Sequence, residues 1–322
     1  MGKAMKRYLF HRLLALLPVL LVVSVVVFCL IHLAPGDPAL VILGNDANPQ
    51  DIAALRQQMG LDRPLLVQFV SWFGGILSGD LGHSLFLNTS VMSLFLQHLT
   101  PTLALALYAQ LIALLLGLAG GVVSAWQHGG TTDRVIRMLA TFGMSVPGFL
   151  LGLFLIFFFA VQLRWFPVVG YRSTNDSFWL NVWYLTLPAI ALGLRIAALI
   201  ARMTRAVMLD VMQEPFINTA RAKGVPERLV LLRHTLKNSL IPILTICGES
   251  FASLVTGTIV IESVFGIPGV GSLIVDSIER RDVTVIQGVV LLITVCYVLI
   301  NLAVDLLSYL ADPRLSVDGG EK

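Results

Sequence analysis

The sequence predicts an all-α integral membrane protein with six spanning helices, and three observations carry that expectation. Of 322 residues, 57% are apolar and only 13% are charged, with a mean hydropathy of +0.85; a water-soluble domain carries about 25% charged residues. Six apolar runs are each long enough for a helix that crosses a bilayer, which takes roughly 20 residues. Lipid offers backbone N–H and C=O groups no partner, and the alternation expected of barrel strands is absent, so the runs read as helices. A soluble enzyme, a nucleic-acid binder and a disordered chain are excluded on composition.

The first run covers residues 13–33 and follows a basic start, 1–12, containing Lys3, Lys6, Arg7 and Arg12. A signal peptide also starts this way, but its apolar stretch is about 7–15 residues and ends in a small-residue cleavage site, so a retained span is expected. Residues 34–100 form a long connection. Within it, Leu65, Leu66, Phe69, Trp72, Phe73 and Ile76 fall near one face of a helix over 64–79, which reads either as an interfacial amphipathic helix or as a helix packed within the loop. The remaining runs, 103–126, 138–163, 183–204, 239–265 and 283–311, place a five-span core in 101–311. That core contains a long internal loop, 205–238, and a short tail, 312–322, follows it.

Charge sets the expected direction. Fifteen of the 22 Lys and Arg residues lie in the N-terminal segment, between runs two and three, from Arg202 to Lys237, and in the tail; six lie in the alternate segments, and Arg195 lies inside the fourth run. The positive-inside rule then puts both termini and the 205–238 loop in the cytoplasm and the 34–100 segment outside.

Sequence motifs for catalysis are missing. There is no phosphate-binding loop for ATP, no H-E-x-x-H and no C-x-x-C, and Cys29, Cys247 and Cys296 lie in separate apolar runs, which is neither a disulfide framework nor a metal cluster. Gly143-Met144-Ser145 has no histidine on another span to activate it. Residues 266–271, Gly-Ile-Pro-Gly-Val-Gly, lack the preceding strand of a dinucleotide site and read as a turn.

The 205–238 loop carries structure of its own. Asn218 or Thr219 can cap a short helix, Gly224 can end it in the left-handed conformation, and Pro226 can open a second helix with Glu227 near its positive end and Arg233, His234 and Lys237 near its negative end. Helix, sharp turn and helix together make a rigid knob suited to docking a partner. A solvated basic loop that serves only topology is the alternative.

The segment EPFINTARAKGVPERLVLLRHTLKNSLIPIL resembles the cytoplasmic loop of ABC importer permeases, with Gly224 at the glycine of their E-A-A-x-x-x-G pattern. It departs from that pattern at Asn218 and Thr219, where Glu and Ala are typical, and at Lys237, where Pro would fall. The T-A-R-A-K-G form is similar to the branch that handles dipeptides, oligopeptides, glutathione and nickel. So are Ala34-Pro35-Gly36-Asp37-Pro38, Gly79-Asp80-Leu81-Gly82-His83-Ser84, the stretch from Glu262 to Gly271, Arg281-Asp282-Val283 and Asp312-Pro313-Arg314. The order and spacing of these segments extend the resemblance from about residue 5 to 315.

The resemblance implies a six-helix type I ABC importer permease, itself non-catalytic and binding no cofactor or metal. Its partners would be a second homologous permease subunit, two ATPase subunits holding ATP and Mg, and an extracytoplasmic solute-binding protein, all at a bacterial inner membrane. Asn218, Thr219, Ala220, Arg221, Ala222, Lys223 and Gly224 would form the coupling helix. Expected substrates are di- and oligopeptides first, nickel or a nickel chelate second, and glutathione third.

Charges inside a bilayer usually face the bundle interior or water, because exposure to lipid costs about 2.5–3.5 kcal/mol. Arg195 and Glu249 can therefore line the translocation path or pair with each other, and Glu262 can belong to a gate at the external mouth. A secondary transporter or channel working alone is the rival of a different class; it would show inverted repeats, and none is visible.

Overall fold

A computed structural model describes residues 18–29, 38–43, 47–58, 60–173 and 177–311. Among them there is no strand, only an isolated antiparallel bridge between His83 and Ser90. The chain divides into two compact units, Met1–Thr100 with Ser272–Val298, and Pro101–Gly271 with Leu299–Lys322.

The first unit begins with α1, Pro18–Cys29, the described part of the first apolar run. The rest of 13–33 and most of the Ala34 to Pro38 motif lie outside the described residues. Then come α2 (Pro38–Leu43), α3 (Pro49–Gln58) and α4 (Leu65–Leu77). The amphipathic helix expected over 64–79 is α4, and it lays an aromatic stripe on α1. The Phe69 ring meets Phe28 edge-on at 5.3 Å between centroids, and Trp72 lies 5.7 Å from the same ring. Leu66 and Leu77 point away and are exposed, so one face packs and another is left open to lipid or solvent.

Two sequence segments flagged separately meet in this unit. Asp282, 3% exposed, accepts the Ser84 hydroxyl at 2.5 Å and the Leu85 N–H at 3.2 Å, while its other oxygen caps the next helix through the Val285 N–H at 3.3 Å. The Gly79 to Ser84 turn is thereby held to the start of the last span.

Helix α5 runs from Val91 to Trp126, twelve residues earlier than the apolar run alone suggests, and carries Pro101 inside it. Helix α6 (Thr131–Ser145) and α7 (Gly148–Leu155), which continues as a π-helical turn over Ile156–Gln162, occupy the third run. That run is not one straight helix: the two parts bend by 99°. Pro147 lacks a donor and forces the residue before it out of the helical region, and Val146 is indeed extended at φ −82°, ψ 125°. Pro188 breaks nothing, since α8 (Phe178–Met212) passes through it.

Next come α9 (Pro215–Ala222), α10 (Glu227–Leu229), a π turn Val230–Thr235 and α11 (Leu236–Gly257). The fifth run, read as 239–265, stops at Gly257. Helices α12 (Ile259–Phe265) and α13 (Val270–Arg280) follow, bent by 84° to each other, and α14 (Val283–Ala311) is the last span. Among the described residues, four helices are long and apolar enough to cross a membrane alone, or up to six if each bent pair is one span.

Helix α8 is the hub of the second unit. Gly117 and Gly121 of α5 let it approach so closely that an added Cβ would sit 2.7 Å from Ile200 and 2.6 Å from Thr204. Small residues of this kind are what allow membrane helices to pack backbone to backbone. Gln110 ties α5 to α11, donating to the Cys247 carbonyl at 3.1 Å and accepting from Ser250 at 3.3 Å.

The 266–271 turn is organised by a buried acid. Glu262 is 0% exposed; its Oε1 accepts the hydroxyls of Thr102 (2.6 Å) and Thr258 (2.7 Å), and its Oε2 accepts the Gly271 N–H at 2.7 Å. Thr102 in turn accepts the Val270 N–H at 2.8 Å. The glycines are a consequence: a Cβ on Gly269 would stand 2.3 Å from the carboxyl carbon, and one on Gly271 2.5 Å from the Ile259 Cα. Gly266 is left-handed at φ 61° and ends α12.

An unmade hydrogen bond at a buried donor costs about 1–3 kcal/mol. Glu262→Ala, which orphans several at once, is expected to destabilise the protein by on the order of 3 kcal/mol, and Gly271→Val by a similar amount through overlap. Thr102→Val should cost less. Melting temperatures of the purified variants check the order, and a Glu262→Ala protein that melts with the parent would remove the anchoring role.

Candidate functional site

The loop between α8 and α11 is built by a sequence of local constraints. Helix α8 ends at Gln213, and Glu214 turns extended at φ −66°, ψ 143°. Pro215 then opens α9; its fixed φ suits the first helical position and its missing N–H would be unbonded there anyway. The expected caps, Asn218 and Thr219, do not act as caps. Pro215 starts the helix three residues before Asn218, so both lie inside it, and the Thr219 hydroxyl donates to the Pro215 carbonyl at 3.1 Å.

The end of α9 follows the expectation at Gly224, which adopts φ +76°. The Gly224 N–H reaches the Arg221 carbonyl at 2.9 Å and the Val225 N–H reaches the Ala220 carbonyl at 3.2 Å, the paired bonds of a Schellman ending. No atom lies within 4 Å of a Cβ placed on Gly224, so its backbone angle and not crowding demands glycine.

Arg221 then clamps the turn from outside. Its Nη2 donates to Glu227 Oε1 at 2.7 Å and its Nε to Oε2 at 3.1 Å, a bidentate fork joining the last turn of α9 to the first residue of α10. The guanidinium holds the Glu227 carboxyl below the usual range, and the carboxylate raises Arg221 further. Neither partner figures in that pairing in the sequence reading.

Beneath the turn, Ile217 is fully buried, as are Val230 and Leu231 of the π turn against which α9 lies. Leu231 packs with Ala125 and Met208, at the ends of α5 and α8. The second helix of the loop is not a separate short one. From Glu227 the chain stays helical to Gly257, because no residue between Val230 and Leu236 breaks it, and Arg233, His234 and Lys237 therefore lie within a long helix and not at a negative end. What projects is the outer side of α9, where Phe216, Asn218, Thr219, Arg221 and Ala222, followed by Lys223, are exposed while Ala220 is half-buried.

The other sequence candidates are not brought together. Arg195 on α8 and Glu249 on α11 are both exposed on this chain, and among the described residues neither forms a hydrogen bond or ion pair, so the expected pairing is not made within the chain. Glu262 is enclosed by the turn it anchors, which gives it a structural task in place of an open position at a mouth. Residues that sequence reasoning missed are Thr102, which completes that anchor, and Asp133 with Arg205. Asp133 is 0% exposed and accepts from Arg205 Nε at 2.7 Å and from Ser124 at 2.5 Å.

Comparison with known proteins places this architecture. The family described as binding-protein-dependent transport system inner membrane component matches residues 117–317, and its N-terminal companion matches 5–106. A probable peptide ABC transporter permease protein of Sinorhizobium fredii is 44% identical over 96% of this chain and 98% of its own length. A glutathione transport system permease protein of Pectobacterium atrosepticum is 44% identical over 97% of this chain and 99% of its own. Among solved structures, the inward-facing methionine ABC transporter in its native crystal form shares the fold at a TM-score of 0.57 and 19% identity, over 68% of this chain and 97% of that one. With matches to both family regions and relatives this similar along nearly the whole length, the chain belongs to the binding-protein-dependent inner membrane component family, the multi-pass permease subunits of ABC importers.

Proposed function

We propose that this permease imports di- and oligopeptides, with α9 as the coupling helix on which partner ATPases act. The observation that carries the reading is the continuity of the loop: an exposed α9, a Schellman turn at Gly224, an Arg221–Glu227 clamp and an unbroken helix from Glu227 to Gly257. A partner that displaces α9 moves a spanning helix directly. ATP binding and hydrolysis belong to those partners, and this chain supplies no catalytic group. A second homologous permease completes the pathway, a solute-binding protein delivers the substrate from outside, and both termini are cytoplasmic by the distribution of Lys and Arg.

In alternating access the ATPases bias the permease through their different affinities for its two states. Arg195 and Glu249, exposed and without partners among the described residues, fit a water-filled path or the face against the second permease better than lipid. The relatives named for peptides and for glutathione support a short-peptide substrate class, and glutathione is the alternative within it. Nickel, expected second from the sequence, draws no support from those relatives. Uptake of a labelled dipeptide and of labelled glutathione by the assembled importer separates the two. Transport by the reconstituted chain without ATPases would overturn the reading in favour of a stand-alone transporter.

Gly224→Val places a side chain in the left-handed region at a cost of about 1–2 kcal/mol, which shifts the turn's population by roughly 5- to 30-fold. The assembled complex is expected to form, with substrate-stimulated ATP hydrolysis reduced several-fold; unchanged hydrolysis and transport would remove the coupling assignment. Arg221→Ala should have a smaller effect, because an exposed pair contributes about 0.2–1 kcal/mol and is weakened by salt. Glu227 has its pKa lowered by Arg221, so the clamp's contribution is present above the ordinary carboxylate pKa and lost as pH falls through the lowered one. The pair should therefore add no pH dependence to coupling across neutral pH, and a titration of ATPase stimulation against pH in parent and Glu227→Gln checks it.

A further inference from the structure

Where α5, α6 and α8 meet, the Asp133 carboxylate is saturated. It accepts from Ser124 (2.5 Å), from the Gly129 N–H (3.0 Å) and from Arg205 through Nε (2.7 Å) and Nη2 (3.0 Å), and a carboxylate offers about four such sites. Arg137 Nε stands farther off at 3.4 Å. Beside this cluster opens a pocket of about 330 Å³ whose lining includes Arg137, Arg202 and Arg205 together with Ile136, Met144 and Ala201. No carboxylate lines it.

The balance of charge is therefore uneven. Arg205 and Arg137 lie against one acid whose acceptor sites are already taken, and Arg202, which lines the same pocket, forms no hydrogen bond or ion pair among the described residues. Each guanidinium carries five N–H donors in a rigid fork. A tetrahedral oxyanion can accept forks from several directions at once, which suits a pocket with three arginines in its lining, whereas a planar carboxylate accepts them mainly in its own plane. The apolar residues of the lining suit an anion carried on a hydrocarbon body. The neighbouring face of α6 exposes Val135, Met138, Leu139 and Phe142 at helical spacing, a stripe fit to contact acyl chains. Basic pockets between spanning helices are suited to anionic headgroups.

We propose that this pocket binds a phosphate-bearing anion, presented either as the phosphodiester of an anionic phospholipid or as a free phosphate compound. Arg137 and Arg202 supply the binding forks, and Arg205, fixed by Asp133, orients the third. The site needs neither nucleotide nor transported substrate, so it stands or falls separately from the coupling assignment.

The test is thermal unfolding of the purified importer complex in bilayers of phosphatidylcholine alone, phosphatidylcholine with phosphatidylglycerol, and phosphatidylcholine with added glycerol phosphate. The parent is compared with Arg202→Gln, Arg137→Gln and a control, Arg134→Gln, which changes an exposed arginine of α6 that does not line the pocket. A melting temperature raised by several degrees with phosphatidylglycerol, lost in the two pocket variants and kept in the control, supports the lipid source. The same pattern with glycerol phosphate supports the soluble source. No response to either anion, or equal responses in parent and pocket variants, overturns the proposal.

Discussion

A carboxylate removed from water in an apolar protein is tolerated only when its oxygens are filled by donors, and this constraint organises the described chain. Asp133, Glu262 and Asp282 are each 3% exposed or less. Each takes a side-chain hydroxyl and a main-chain N–H, and the N–H in each case belongs to a segment joining or opening a helix. Burial of the charge is costly in isolation, so each turn has one arrangement in which the acid is satisfied and few others that compete with it. Along the spans, close glycine contacts and the Gln110 bridge hold the helices together; at their ends, the buried acids do.

The loop at α9 uses a different device, because it faces outward. Its geometry comes from backbone rules: proline at the start, a left-handed glycine at the finish and a surface ion pair across the gap. These contribute small amounts singly. Their effect is to remove slack, so that the loop joins two long helices, α8 and the Glu227–Gly257 segment, without a flexible link.

Much of this was legible in the chain. Gly224 announced a helix end because only a left-handed turn needs that residue between Lys223 and Pro226, and the Glu262 to Gly271 and Arg281 to Val283 segments were recognisable as motifs. Their reasons were not legible. Glu262 meets Thr102 across 160 positions, and Ser84 meets Asp282 across 198; local spacing carries no trace of such contacts. Asp133 carried no signal for the same reason, since Arg205 meets it across 72 positions. Asn218 and Thr219 misled because their cap preference was weighed without the stronger start at Pro215. The third run looked continuous in hydropathy, which does not register the direction of the chain on either side of Pro147.

The unbroken helix from Glu227 to Gly257 also has a geometric gain. At 1.5 Å rise per residue its 31 residues amount to a rod of about 46 Å. Pivoting such a rod by about 5° at its α9 end sweeps the other end through ~4 Å, roughly the width of a strand. A small change of angle at one end of this helix is thus a large displacement at the other.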